Sequence, residues 1–188
     1  MKEIITKRLI IRPWKVEDSS DLYEYAKSEL VGPSAGWKPH KSEEESKEIV
    51  NMFIEDDESY AIVLKSENKV IGSIGLHDNK PDIDLQDLEQ REIGYVLNPK
   101  YWGNGYMPEA VNAIIDYGFN KINLELIWCG HYDFNNNSKR VVEKCGFKYR
   151  FKMEKKLELL DNIEVTELYY NILKSEYKKP WKIIERSI

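Results

Sequence analysis

Two hydrophobic periods alternate along the chain, and the switches between them mark its elements. Arg8–Arg12, RLIIR, is a short apolar run that reads as a strand and stops at Pro13. The period then lengthens. In EDSSDLYEYAKSEL, Leu22, Tyr25 and Ala26 share one helical face, with Asp18 placed to cap it. Residues 30–41, LVGPSAGWKPHK, carry two prolines and two glycines and read as a loop. SEEESKEIVNMFI opens with the capping-box pair Ser42 and Glu45 and puts Ile49, Val50 and Phe53 on one side of a helix. YAIVLK and VIGSIGLH are strands joined by the polar turn Ser66 to Lys69, which predicts a hairpin. DNKPDIDLQDLEQ, an acidic connection with little periodicity, follows.

The second half starts with REIGYVLN, a strand ending at Pro99. Beyond a glycine-containing run, Val111, Ile114, Ile115 and Phe119 make a helical stripe whose first turn suits Pro108 and Glu109. LELIWCG is a strand, and NNSKRVVEKCGF a short helix closed by Gly146. Phe147–Leu159 and Val165–Leu173 flank the turn residues Asp161 and Asn162 and predict a closing hairpin. The order is strand, two helices, β-meander, helix, strand, helix, strands. It shows no repeat and no second boundary, so one domain over residues 1–188 is expected. The terminal KSEYKKPWKIIERSI fits either docking or fraying.

Composition narrows the partners. A chain of 188 residues with 41% hydrophobic content can bury a core. Its formal charge of -5 argues against a general nucleic-acid binder and for a neutral or cationic partner. No apolar run is long enough to cross a bilayer, and MKEIITKRLIIRPW lacks a signal-peptide core, so the cytoplasm is the expected location. Cys129 and Cys145 make neither a disulfide framework nor a zinc pattern, and His40, His77 and His131 are scattered, so no metal is expected.

The run YWGNGYMPEA, residues 101–110, lies between a strand and a helix. In that arrangement free backbone N–H groups face an incoming anion, and glycines let it come close. Pro108 removes one donor, which leaves the N–H groups of residues 103–107. The Gly-Lys-Ser/Thr ending of a Walker loop is absent, and Pro108 stands where the dinucleotide fingerprint needs a third glycine. By itself such a run is more often a plain turn than a phosphate site.

Together with TKRLIIRPW, GWKPHKSEEES, VIGSIGLH, REIGYVLNPK and the segment from NNNSKR to EKCGF, it resembles the GNAT superfamily of N-acetyltransferases over nearly the whole chain. The nearest branch in this resemblance is the RimJ/RimL type, which acetylates ribosomal-protein N-termini. The resemblance implies an α/β fold with a mixed sheet whose fourth and fifth strands splay apart to admit acetyl-CoA as cosubstrate. In the family's pyrophosphate motif Trp102 takes the first place, Gly105 the fourth and Met107 the sixth, so the loop Trp102, Gly103, Asn104, Gly105, Tyr106 and Met107 is expected to bind the cofactor. Tyr95, Val96 and Leu97 match the strand whose backbone meets the pantetheine arm, and Asn135 matches the family asparagine that reaches it.

Amide formation from a thioester needs a deprotonated amine, a donor for the oxygen that gains charge, and help for the departing thiolate. Glu92 is the expected base, since family members often use a glutamate on this strand; a surface or salt-bridged carboxylate is the alternative. The oxyanion donor is expected near Leu97. The tyrosine frequently used as acid in the superfamily is replaced by Val142, which cannot donate, so Ser138 takes that role, a plain helix cap being the alternative. Asp78, Asp82, Asp84, Asp87 and Glu89 either draw a cationic amine or form a solvated loop. Trp37 is either part of the acceptor wall or core, whereas Tyr60, Tyr117 and Trp128 are expected in the core. The expected activity is N-acetylation of a primary amine, on a protein N-terminus or a small molecule, by a monomer or homodimer. Val142 keeps open a second reading, a cofactor-binding sensor without turnover.

Overall fold

The computed structural model describes residues 1–178, and a single eight-stranded sheet organises them. Its strands are β1 (Ile4–Ile5), β2 (Leu9–Pro13), β3 (Ser59–Leu64), β4 (Lys69–His77), β5 (Gln90–Leu97), β6 (Leu126–Tyr132), β7 (Lys148–Leu157) and β8 (Ile163–Leu173). They lie in the order β1-β2-β3-β4-β5-β6-β8-β7. All neighbours are antiparallel except β5 and β6. A parallel pair needs a crossover, and α4 (Tyr106–Asn120) supplies it. The other helices are α1 (Ser19–Ala26), α2 (Gly32–Ala35), α3 (Glu43–Asp56) and α5 (Asn136–Lys144). The chain is α/β with a mixed sheet, as expected.

Both faces of the central strands are covered because those strands carry apolar residues on both sides, whereas β7 is largely exposed. Beneath α4, Ile93, Ile127 and Cys129 pack with Val111, Ile114, Ile115 and Phe119, most of them without exposed surface. A side chain of that size contributes about 1.5–3 kcal/mol when fully buried. The opposite face carries a second core in which Trp14, Leu22, Tyr25, Val50, Ala61 and Val63 join α1 and α3 to the sheet. Tyr60 and Trp128 are buried and Tyr117 packs at the edge of the main core. The Trp128 indole N–H is satisfied by Gln90 Oε1 at 2.7 Å.

Several boundaries differ from the sequence reading. The expected loop at 30–41 contains α2, a single turn closed by Gly36 in the left-handed region. Asp18 stands at the α1 N-cap, yet its carboxylate takes two hydrogen bonds from Arg12 at 2.7 and 2.8 Å instead of capping the helix. At α3, Ser42 accepts from the Glu45 N–H at 3.2 Å, while the Glu45 carboxylate reaches Lys41 N at 2.6 Å. β6 begins and ends two residues later than LELIWCG suggested, because Leu124 is buried in the turn from α4 instead of in the ladder. Pro13 ends β2 from within, opposite Tyr60. Of the terminal segment, Lys174–Glu176 forms a 3-10 turn and Tyr177 packs on Phe119 with ring centroids 5.2 Å apart; residues 179–188 lie outside the described residues.

The feature that positions the site is a splay. β5 and β6 are paired only from Gln90↔Leu126 to Ile93↔Cys129. Beyond that point β4 still accompanies β5 to Leu97, and β8 accompanies β6 to Tyr132. Each strand keeps its outer partner and loses its inner one, which leaves a wedge. In family terms these are the fourth and fifth strands, counted one higher here because of the two-residue β1.

Candidate active site

The wedge opens into a cleft of about 690 Å3, lined by β5 and β6, the glycine loop, the start of α5 and residues of the α2 region. Backbone alternation decides what β5 offers it. The Asn98 N–H bonds to Ile71 O, and the Val96 carbonyl faces Gly72, so both point toward β4. Tyr95 and Leu97 therefore turn their backbone groups toward the wedge. Val96, also expected to meet a ligand through its backbone, turns those groups toward β4, and its side chain packs against the second core. One wedge acceptor is already taken: the Trp102 indole N–H donates to Leu97 O at 2.8 Å. The Leu97 N–H points into the wedge, where an oxyanion donor was expected.

Below the wedge, the loop forms a turn that only glycines fit without strain. Gly103 and Gly105 have φ of 78° and 76°, and a Cβ on Gly103 would meet nothing within 4 Å. The concave side is open to a ligand. Gly105 is the N-cap of α4, so the following N–H groups have no acceptor within the helix. Met107 buries its side chain in the core, which leaves its backbone for the loop. Asn104 folds its amide back onto Tyr101 O and Trp102 O at 3.2 and 3.1 Å, bracing the turn. Arg8 fixes the whole loop from β2's side. It donates to Asn104 O at 2.9 Å, lies 4.4 Å from the centre of the Tyr106 ring, and pairs with Glu109 at 2.7 Å. The same Glu109 carboxylate accepts from Thr6 Oγ1 at 2.6 Å and Arg8 N at 2.8 Å. This arrangement fits a diphosphate: amides and a helix N-terminus face an open concavity, with a guanidinium behind them.

Glu92 lies half-buried in the cleft, on the sheet face opposite α4, where β5 and β6 part. Asn79 Nδ2 donates to its Oε2. Across Gly130 stands a second carboxylate, Glu167 of β8, buried and held by the Lys155 ammonium and the Tyr169 hydroxyl, each at 2.6 Å. A Cβ on Gly130 would stand 2.8 Å from Glu167 Oε1 and 3.1 Å from Glu92 Oε1, so glycine here is what lets both carboxylates converge. The two oxygens are then within about 6 Å, close enough for like charges to disfavour double ionisation. Burial, and after it the Glu167 charge, push the Glu92 carboxyl up to about 7, against the pull of Asn79, Lys155 and the Gly130 backbone. Such a group is half-ionised near neutrality, as a general base should be.

The start of α5 closes the far side. Ser138 N–H donates to Asn135 Oδ1 at 3.0 Å, so the asparagine caps the helix. Its Nδ2 goes to Ser34 O at 3.1 Å, tying α2 to the cleft rim. The Ser138 hydroxyl is 2.8 Å from that of Tyr95. Val142 is completely buried. Trp37 packs on the α1–α3 core and also lines the cleft. The acidic connection is mostly self-contained, with Asp78 paired to Arg91 at 3.0 Å and Asp82 bonded to Asp84 N at 3.0 Å. Among the described residues no three His, Cys, Asp or Glu side chains gather as metal ligands, and no helix is long and apolar enough to cross a membrane.

Residues 8–148 match the family described as acetyltransferase (GNAT) domain. The chain belongs to the GNAT family. It is 34% identical, over 93% of its own length and 98% of the relative's, to the uncharacterized N-acetyltransferase YnaD of Bacillus subtilis (strain 168). Among solved structures it resembles the GNAT-family acetyltransferase from Bacillus anthracis, with a TM-score of 0.81 and 29% identity over 93% of this chain and 99% of that one. The spermidine N-acetyltransferase from Vibrio cholerae, solved in complex with CoA and spermine, shares the fold at a TM-score of 0.71 and 19% identity, covering 90% of this chain and 97% of that one. The chain is an N-acetyltransferase by family, and its splayed sheet is the GNAT fold.

Two residues at this site, Glu167 and Asn79, escaped the sequence reading, and a third, Tyr95, was read only in part. Glu167 left a signal: in VTELYY it occupies the buried side of a period-2 strand, with Val165 and Tyr169. Asn79 left none, being one polar residue in a polar connection. Tyr95 was read for its backbone, and only the fold brings its hydroxyl to α5.

Proposed function

We propose that this GNAT protein transfers the acetyl group of acetyl-CoA to a primary amine, by direct attack of the amine on the thioester. The observation that carries this reading is the wedge itself: unpaired β5 backbone, an open glycine loop and an elevated carboxylate converge on one cleft. Bound there, acetyl-CoA supplies an activated acyl carbon. The N–H groups of residues 103–107 hold the diphosphate, with Trp102 across the end of β5, and Tyr95 and Leu97 offer backbone to the pantetheine arm. Asn135 and Ser138 bound the same arm from α5. Glu92 takes the proton that an alkylammonium must lose, the Leu97 N–H faces the oxygen that gains charge, and Ser138 serves the departing sulfur.

The acceptor enters from the α2 and α3 side, past Trp37, and meets two carboxylates that favour a cationic amine. Protein N-termini, as in the RimJ/RimL branch that the motifs resemble, and small polyamines both satisfy that chemistry. The test is to incubate the protein with acetyl-CoA and a panel of N-terminal peptides, spermidine and simple amines while following free thiol. Amine-dependent thiol release with acetylated product is expected. Tight acetyl-CoA binding with no release for any amine would overturn the proposal in favour of a sensor.

A further inference from the structure

Val142 cannot donate a proton as the usual tyrosine would, yet the structure brings a phenol to the start of α5 from a different element. Tyr95 stands on β5, and its hydroxyl crosses the wedge to lie 2.8 Å from Ser138 Oγ and 3.3 Å from Ser138 O at the start of α5. Among the described residues Ser138 Oγ has no other hydrogen-bond partner, and both side chains line the cleft. We propose that Tyr95 is a positioning residue for the departing thiolate: by donating its hydroxyl proton to Ser138 Oγ, it leaves the serine proton free to point at the coenzyme sulfur. The inference rests on the acetyl-transfer reading above.

The geometry supports that direction of donation: the tyrosine hydroxyl lies closer to Ser138 Oγ, at 2.8 Å, than to the Ser138 carbonyl oxygen that competes for the same proton, at 3.3 Å. Burial, first of all, raises the Tyr95 phenol well above its ordinary value, so it keeps its proton throughout catalysis. The Ser138 N–H already donates to the Asn135 side-chain Oδ1 at 3.0 Å, which fixes the serine backbone without engaging its hydroxyl. An anion arriving beside Ser138 then draws the serine proton, and the tyrosine proton fills the lone pair that faces it. Hydrogen bonds in such a chain strengthen one another, and a bond to a charged acceptor is about twice as strong as one between neutral groups.

The pair donates hydrogen bonds and surrenders no proton, because an aliphatic alcohol is a much weaker acid than a thiol. In the step itself the C–N bond forms and the C–S bond breaks, and the C–S electron pair leaves on sulfur. One proton of the ammonium goes to Glu92 and one returns through solvent to the thiolate, so nothing beyond the two substrates is consumed.

The test uses the full chain and Tyr95→Phe, which keeps the ring and removes only the hydroxyl, with Ser138→Ala as the second variant. In the complex with CoA, the thiol is titrated by its ultraviolet thiolate absorbance. Donors facing the sulfur should hold the bound thiol below its solution value in the wild type, and either variant should raise it by about 1 unit. In turnover, Tyr95→Phe should lower kcat about tenfold and leave KM for acetyl-CoA unchanged. A bound thiol titrating alike in wild type and both variants would overturn the proposal, as would a Tyr95→Phe loss confined to KM. Those results leave the acetyltransferase reading standing if the wild type turns over. A wild type that binds no CoA would overturn both.

Discussion

Replacing Glu167 by Gln removes a charge while keeping the size of a buried side chain, and it isolates what the second carboxylate does to the first. The two carboxylates lie on either side of Gly130. At about 6 Å and an effective dielectric constant of about 20, two unit charges interact by roughly 2.8 kcal/mol, or about 2 pK units. Solvent at the cleft mouth screens part of this, so about 1 unit should remain. Glu92 should fall from about 7 toward about 6. The sign is unambiguous, because removing a like charge favours the ionised form, and the Lys155 ammonium left behind acts in the same direction. The assay is kcat/KM for the amine against pH. Its rising limb, set by ionisation of the base, should move about 1 unit toward acid, and near pH 6 the ionised fraction of Glu92 should rise about fivefold. The position of the limb is the readout, since acceptor binding can change its height. A limb that stays in place, or moves toward alkali, in a folded variant would refute the coupling.

Three further outcomes are expected. Glu92→Gln should slow turnover most between neutrality and the pKa of the amine. It should also stabilise the fold: a carboxyl whose folded value is about 7 against 4.5 loses stability as pH rises through that window, and glutamine does not, so the variant's advantage should be about 2 kcal/mol greater at pH 8 than at pH 5 in thermal melts. Gly105→Val puts a branched side chain at φ of 76° and turns it toward Arg8, whose Nη2 a Cβ there would meet at 3.6 Å. It therefore strains the loop and disturbs the guanidinium that braces it; calorimetry should show CoA affinity reduced by at least about tenfold, and melting a stability cost of about 1–3 kcal/mol. Arg8→Ala frees the loop from β2 by removing the contacts to Asn104, Tyr106 and Glu109, and should weaken CoA binding with little effect on KM for the amine; unchanged affinity would show that the loop stands unaided.

Much of the framework follows from local pattern. The glycine loop was legible because strand, Gly-rich turn and helix start are consecutive, and each element has its own periodicity. Glu92 was singled out through the family resemblance, which implies a glutamate on this strand, and the structure places it in the cleft. What the sequence hid is pairing across distance. Glu92 and Glu167 are separated by the whole of α4, β6, α5 and β7, and only the order β5-β6-β8 makes them neighbours. Tyr95 and Ser138 meet only because β5 leaves β6 at Ile93 and faces α5 instead. α2 was missed because a single turn holding a glycine and a proline, and closed by a second glycine, has the composition of a loop.

The account depends on which part of the chain holds the coenzyme. A crystal structure with CoA tests it most directly. The account predicts the diphosphate within hydrogen-bonding distance of the N–H groups of residues 103–107, the pantetheine arm between β5 and β6, and the sulfur beside Ser138. A ligand seated elsewhere, or a wedge closed by strand pairing beyond Ile93 and Cys129, would contradict it.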